Sequence, residues 1–130
     1  MKLRIKGNSI RLRLGQSEVH RLAMNGAVEE LTIFGSGRVQ RLGYEIRGAR
    51  DETVVRASFD GRRIVVHVPA EMINRWARSD QVGIYAMQPT DHGEFAVVIE
   101  KDFVCIDGDS RESQEDAFPN PTLAAGTRSC

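Results

Sequence analysis

The chain has only two cysteines, Cys105 and Cys130, and aromatic residues make up 6% of it. So few thiols without a secretory context argue against a structural disulfide, and Cys130 at the last position reads as a free, mobile thiol. No apolar run approaches the roughly 18 residues that a membrane span needs, so no membrane partner is expected. The opening MKLRIKGNS lacks the apolar stretch of a secretory signal, which makes the cytoplasm the default location. There is no Cys-x-x-Cys and no paired-histidine spacing, so a transition-metal site made from Cys105, His92 or His67, and Asp107 draws little support. Tyr44 and Phe59 are the only aromatics placed to join the basic segments, and without aromatic interleaving nucleic acid is not an expected partner. No serine or cysteine sits in a recognisable nucleophile motif, so no catalytic residue is assigned.

Net charge is also missing, with 18 basic and 18 acidic side chains, but the charges are segregated. Residues 1–63 hold 13 basic and 7 acidic groups, whereas residues 64–130 hold 5 and 11. Fifteen of the basic residues are arginine, which favours bidentate contact with phosphate or carboxylate. At 130 residues there is room for one domain with a real core.

What is present is a pattern that occurs twice. IRLRLGQSEVHRLAMNGAV (10–28) alternates apolar and basic residues as a half-buried strand, then turns into a short helical segment. IVVHVPAEMINRWARSDQV (64–82) repeats that apolar register 54 positions later, with Ile10 on Ile64, Leu22 on Trp76 and Val28 on Val82. Around these stretches, Gly7-Asn8, Gly35-Ser36-Gly37, Asp60-Gly61 and Asp91-His92-Gly93 mark hairpin turns. Asn25-Gly26 ends the first helix, Ser17 or Gly15 caps it, and Pro69 begins the second. The expected fold is α+β: duplicated ββαββ modules, mainly antiparallel, with eight strands rolled into a barrel or half-barrel and two helices. A flatter pair of sheets with both helices on one face is the alternative. The expected domain is 1–106, with modules 1–47 and 53–106. An acidic tail over 107–130, partly disordered, is held down at Phe118.

The opening MKLRIKGNSIRLRLGQSEV, with the closing IEKDFVCID and EDAFPNP, resembles a family of small bacterial proteins without an assigned function; the resemblance implies a self-standing domain and no activity. At fold level, a duplicated eight-stranded domain with alternating Arg and Lys is similar to the CYTH-type triphosphate-tunnel proteins. LTIFGSGRVQRLGYEI (31–46) is loosely similar to one of their strand pairs, although their Glu-x-Glu-x-Lys signature is missing. That resemblance implies a cation-lined channel for phosphates and acidic ligands for a divalent metal.

The candidate anion site is accordingly Lys2, Arg4, Lys6, Arg11 and Arg13, with Arg41, Arg56 and His67 as later contributors. Facing inward in a barrel, these cations would demand an anion; facing outward, they would form a solvated sheet surface. Glu100 and Asp102 fall on one strand face, with Glu45 as a neighbour, and suit Mg²⁺ or Mn²⁺ or, equally, salt bridges to Arg11 or Arg13. The functional expectation is binding of a phosphorylated or polyanionic small molecule, extending to metal-assisted phosphate hydrolysis. The alternative is a non-enzymatic interaction or structural domain in which Arg/acid pairs serve stability. The tail acids, Asp107, Asp109, Glu112, Glu115 and Asp116, could lie over the cationic face as a pseudo-ligand.

Overall fold

The computed structural model describes residues 1–104 and 115–119, and in it the period-two runs become strands and the two apolar-striped segments become helices. In chain order the elements are β1 (Lys2–Ile5), β2 (Ser9–Leu14), α1 (Gln16–Asn25), β3 (Ala27–Ile33), β4 (Arg41–Ala49), β5 (Arg56–Phe59), β6 (Arg63–Pro69), α2 (Ala70–Ala77), β7 (Gly83–Thr90) and β8 (Gly93–Lys101). The pairs β1–β2, β3–β4, β5–β6 and β7–β8 are antiparallel hairpins. Helix α1 stops at Gly26, whose φ of 85° only glycine adopts without strain, and whose N–H donates to the Leu22 carbonyl at 3.0 Å. Pro69 closes β6 and stands as the cap before α2 instead of opening the helix.

The α+β, mainly antiparallel reading stands. The strands do not close into a barrel. They form two four-stranded sheets, in the orders β1-β2-β8-β7 and β3-β4-β6-β5. Nor do the halves of the chain stand as separate modules, because each sheet takes one hairpin from each half. The central pairs, β2 with β8 and β4 with β6, are parallel and join the halves. Local turn chemistry specifies the hairpins, whereas these parallel pairings depend on distant segments meeting.

Period-two alternation then selects the inner faces. Ile10, Leu12 and Leu14 of β2, Ile64, Val66 and Val68 of β6, Ile46 of β4, and Val97 and Ile99 of β8 are buried in one cluster between the sheets. The helices lie against each other at one end of this core. There Val19, Leu22, Ile73 and a fully buried Trp76 plug it, and the Trp76 indole N–H donates to the Val82 carbonyl at 3.0 Å. All four hairpin turns lie at the opposite end, as the strand directions require.

Side chains span the sheet edges where barrel closure would need backbone ladders. The Gln88 side-chain amide accepts from Ala57 N–H at 2.7 Å and donates to the Ala57 carbonyl at 3.0 Å, tying edge strand β7 to edge strand β5. On the other side the Met1 ammonium pairs with Glu18 and Glu30, and the Tyr44 hydroxyl donates to the Met1 carbonyl at 3.2 Å. Strands β1 and β5 have four residues each, and Pro89 removes a donor from β7, so these three edges offer little ladder to pair.

Residues 115–119 return to the domain. Phe118 forms a parallel bridge with Phe103, and Ala117 is buried. Asp116 sits on the N-terminus of α1, not over the basic strands. Asp107, Asp109, Glu112, Cys105 and residues 120–130 lie outside the described residues.

Candidate functional site

The basic strand residues lie on the outer face of the first sheet. In the β1–β2 register Lys2 opposes Arg13 and Arg4 opposes Arg11, while Leu3, Ile5, Ile10, Leu12 and Leu14 turn inward. The inward cationic channel is therefore corrected. Burying these cations together would forfeit their hydration without a partner for each, while the alternating apolar residues gain by filling the same space.

Glu100 of β8 and Asp102, just past its end, share this face with them. Glu100 Oε1 lies 3.0 Å from Arg11 Nε and 3.9 Å from Arg13 Nε, and the Asp102 carboxylate is 2.9 Å from Lys2 Nζ. Glu100 Oε1 is shielded from solvent yet receives no well-directed hydrogen bond, so its contact with Arg11 is an ion pair of poor alignment. The Tyr85 hydroxyl stands 3.5 Å from Glu100 Oε2. Desolvation, followed by the charge of Glu100, pushes the Tyr85 phenol above its ordinary value.

Toward the hairpin tip the pairing stops. Arg4 and Lys6 have no carboxylate partner among the described residues. With Ser9, Arg11 and Val98 they line a shallow recess of about 170 Å³. Ser9 Oγ donates to the Lys6 carbonyl at 2.6 Å and fixes the turn that carries Lys6.

The remaining candidates are on the other sheet. Arg41 is exposed at the start of β4, and Arg56 pairs with Glu52 at 3.1 Å. His67 stands in register with Arg47 and Arg56. Glu45 is buried on the outer side of β4, with Arg47 Nε at 2.8 Å and Arg63 Nη1 at 3.0 Å, and Arg63 also reaches Glu29 at 3.0 Å. The hydrogen bond to Glu29 is the main influence holding the Arg63 guanidinium above its ordinary pKa. Glu45 thus belongs to a different sheet from Glu100 and Asp102, and the expected metal set does not assemble. Among the described residues no group of three or more His, Cys, Asp or Glu side chains could hold a metal ion. The acids engage arginine and lysine instead, and Arg41 and Arg56 are not brought to the Arg4 recess.

One buried charge escaped the sequence reading. Lys101 follows Val97 and Ile99 on the inner face of β8, and its Nζ donates to the Ser79 carbonyl at 2.6 Å. The same alternation that put Glu100 and Asp102 outside carried the signal, because it places Lys101 inside.

The chain belongs to a family of unknown function (DUF7009), whose model matches residues 1–122. No curated protein and no solved structure matches it, so the likeness to CYTH-type proteins finds no counterpart. Among the described residues no helix is long and apolar enough to cross a membrane.

Proposed function

We propose that this chain is a binding domain that takes a phosphorylated or polyanionic small molecule on the outer face of the first sheet, held by Arg4, Lys6 and Arg11. The observation that carries the reading is the register pair Arg4–Arg11, like charges directly opposed, with Lys6 beside them and no acid on Arg4 or Lys6 among the described residues. Opposed cations destabilise a strand pair unless an anion lies between them, and a planar guanidinium matches phosphate oxygens two at a time. Lys2 pairs with Asp102, and Glu100 lies against Arg11 and then Arg13, so the cations without a carboxylate among the described residues, Arg4 and Lys6, are the ones toward the tip. No hydrolytic step is included, because Glu100 and Asp102 are committed to Arg11 and Lys2.

Thermal unfolding with pyrophosphate and triphosphate tests this. At ten times the dissociation constant, linkage raises the melting temperature by roughly 3–6 °C, and because the site is exposed the rise shrinks with added salt. Arg4→Ala removes the shift and leaves the unliganded melting temperature nearly unchanged, since the side chain is exposed. No shift at millimolar ligand would favour the interaction-domain reading, for which exposed Tyr85 and Met87 on the same sheet face are the starting points.

A further inference from the structure

Register divides the outer face of the first sheet into two chemically different halves. Arg4 opposes Arg11 across β1 and β2, Arg11 lies beside Val98 of β8, and Val98 opposes Tyr85 of β7. One line across the sheet therefore runs cation, cation, aliphatic, aromatic. The next line toward the tip repeats the order. The Lys6 backbone N–H donates to the Ser9 carbonyl at 3.1 Å, Ser9 lies beside Ala96, and Ala96 opposes Met87. Strands β1 and β2 thus bring the cations, and β7 and β8 bring apolar surface. Tyr85 and Met87 are 63% and 59% exposed, while the shorter Val98 and Ala96 that separate them from the cations are half-buried. Together they make a low floor with guanidinium and ammonium groups along one side and a phenol ring and a thioether along the other.

The Tyr85 ring is folded back along its own strand. A β-carbon on Gly83 would meet the Tyr85 Cζ and Oη atoms, each at 2.8 Å, so the end of the ring fills the space where a side chain at that position would stand. Glycine there lets the hydroxyl come within 3.5 Å of Glu100 Oε2 and keeps the ring on the sheet with most of its surface bare. We infer that the anion held at Arg4, Lys6 and Arg11 is the diphosphate of a nucleoside, with its base laid on Tyr85 beside Met87 and its sugar over Val98 and Ala96. This identity rests on the polyanion reading and adds the class of molecule to it. The span fits. Strands about 4.8 Å apart place Tyr85 two spacings from Arg11 and three from Arg4, about 10 and 14 Å along the line. A base, a sugar and two phosphates bridge that span, whereas pyrophosphate alone covers only the charged end. Every base has a π-face that stacks on an aromatic ring, and arginine matches the phosphate oxygens, so one molecule uses both halves of the face.

The experiment titrates the full chain with ADP and with methyl diphosphate, which carries the same charged head and no base, and reads affinity by calorimetry and the Tyr85 ring by NMR. Both ligands should bind saturably, and ADP should bind tighter by about fivefold or more, the least that stacking of a base on an aromatic side chain contributes. Only ADP should shift the Tyr85 ring resonances strongly. Tyr85→Ala should bring ADP down to the affinity of methyl diphosphate without weakening methyl diphosphate itself, and the melting temperature should stay close to wild type because the side chain is exposed. Tyr85→Phe should keep the preference for ADP, since the ring remains, whereas Arg4→Ala should weaken both ligands. Equal affinity of the two ligands for the wild-type chain, or an ADP preference that survives Tyr85→Ala, overturns the inference and leaves the polyanion reading standing. Binding of neither at millimolar concentration overturns both. Sedimentation showing a dimer that Tyr85→Ala converts to monomers also overturns the inference, because a second copy would then cover the ring.

Discussion

At the residue scale the most demanding position is Lys101. It is 6% exposed, bonds through Nζ to the Ser79 carbonyl, and holds that nitrogen 5.9 Å from the Trp76 ring centre and 5.5 Å from that of Phe118. Desolvation lowers its pKa below the ordinary 10.5, and the charge of Asp80 works against that shift. The sign for stability follows from proton counting. Between the lowered folded pKa and 10.5 the unfolded chain binds more protons, so the contribution of Lys101 becomes more favourable as pH rises through that window. Tyr44 and Tyr85 act oppositely near pH 10, because both phenols are raised in the folded chain, so a wild-type pH profile mixes the effects. Lys101→Met separates them. The removed desolvation cost outweighs one charged hydrogen bond and two ring contacts by about 1 kcal/mol, so the variant should be more stable than wild type in urea at pH 7. That advantage should shrink toward pH 10.5. A variant less stable at pH 7 would show that the ring and carbonyl contacts dominate.

At the scale of elements, α1 depends on a segment about a hundred residues away. Gly15 caps it, and the Gly15 N–H donates to the Glu18 carboxylate at 3.0 Å. The Asp116 carboxylate accepts from Ser17 N–H at 3.1 Å and from Ser17 Oγ at 2.7 Å, while Gln16 N–H donates to the Asp116 carbonyl at 2.8 Å. A β-carbon on Gly15 would meet that carbonyl oxygen at 2.8 Å, so glycine is needed for close approach and not for its φ of −75°. Asp116→Ala should cost about 1 kcal/mol as a lost cap beside the positive helix end. Gly15→Ala should cost more, up to about 2 kcal/mol, since it displaces the whole strap. Limited proteolysis should show the bonds around Ala117 becoming accessible in Gly15→Ala, and unchanged protection there would contradict the clamp. The sequence marked this helix well, with Gly15 among the cap candidates and Gly26 at its end, because those signals are local. It could not show Asp116 arriving from the far end of the chain. The site divides the same way. Alternation grouped Lys2, Arg4, Lys6, Arg11 and Arg13 on one face and Glu100 with Asp102 on another strand's face, with salt bridges to Arg11 or Arg13 as one of two readings, while the expected barrel favoured turning the cations inward.

At the scale of the molecule, the strand orders make the halves interdependent. Replacing each strand of the first half by its counterpart in the second converts β1-β2-β8-β7 into β5-β6-β4-β3, the order of the other sheet read backwards. Each half supplies one hairpin to each sheet, and the parallel β2–β8 and β4–β6 pairs at the centres cross between halves. A half alone would hold two separate two-stranded hairpins, which are marginal in water. It would also expose Leu12, Leu14, Ile46, Val66, Val68 and Ile99, all at most 1% exposed in the whole chain. Cutting between Asp51 and Glu52, in the exposed turn before β5, gives fragments 1–51 and 52–130 that preserve every strand and both helices. Neither fragment should fold as a monomer: each should lack amide dispersion in NMR, and mixing them should restore the native spectrum with one copy of each. The strand correspondence adds a second outcome, in which 1–51 at high concentration gains structure only as a pair, its β4 hairpin taking the place of β8 beside β2. Sedimentation beside the NMR spectra decides the matter. A fragment that is both folded and monomeric would mean that the half-chains carry their own cores, contrary to the crossed parallel pairs that join them here.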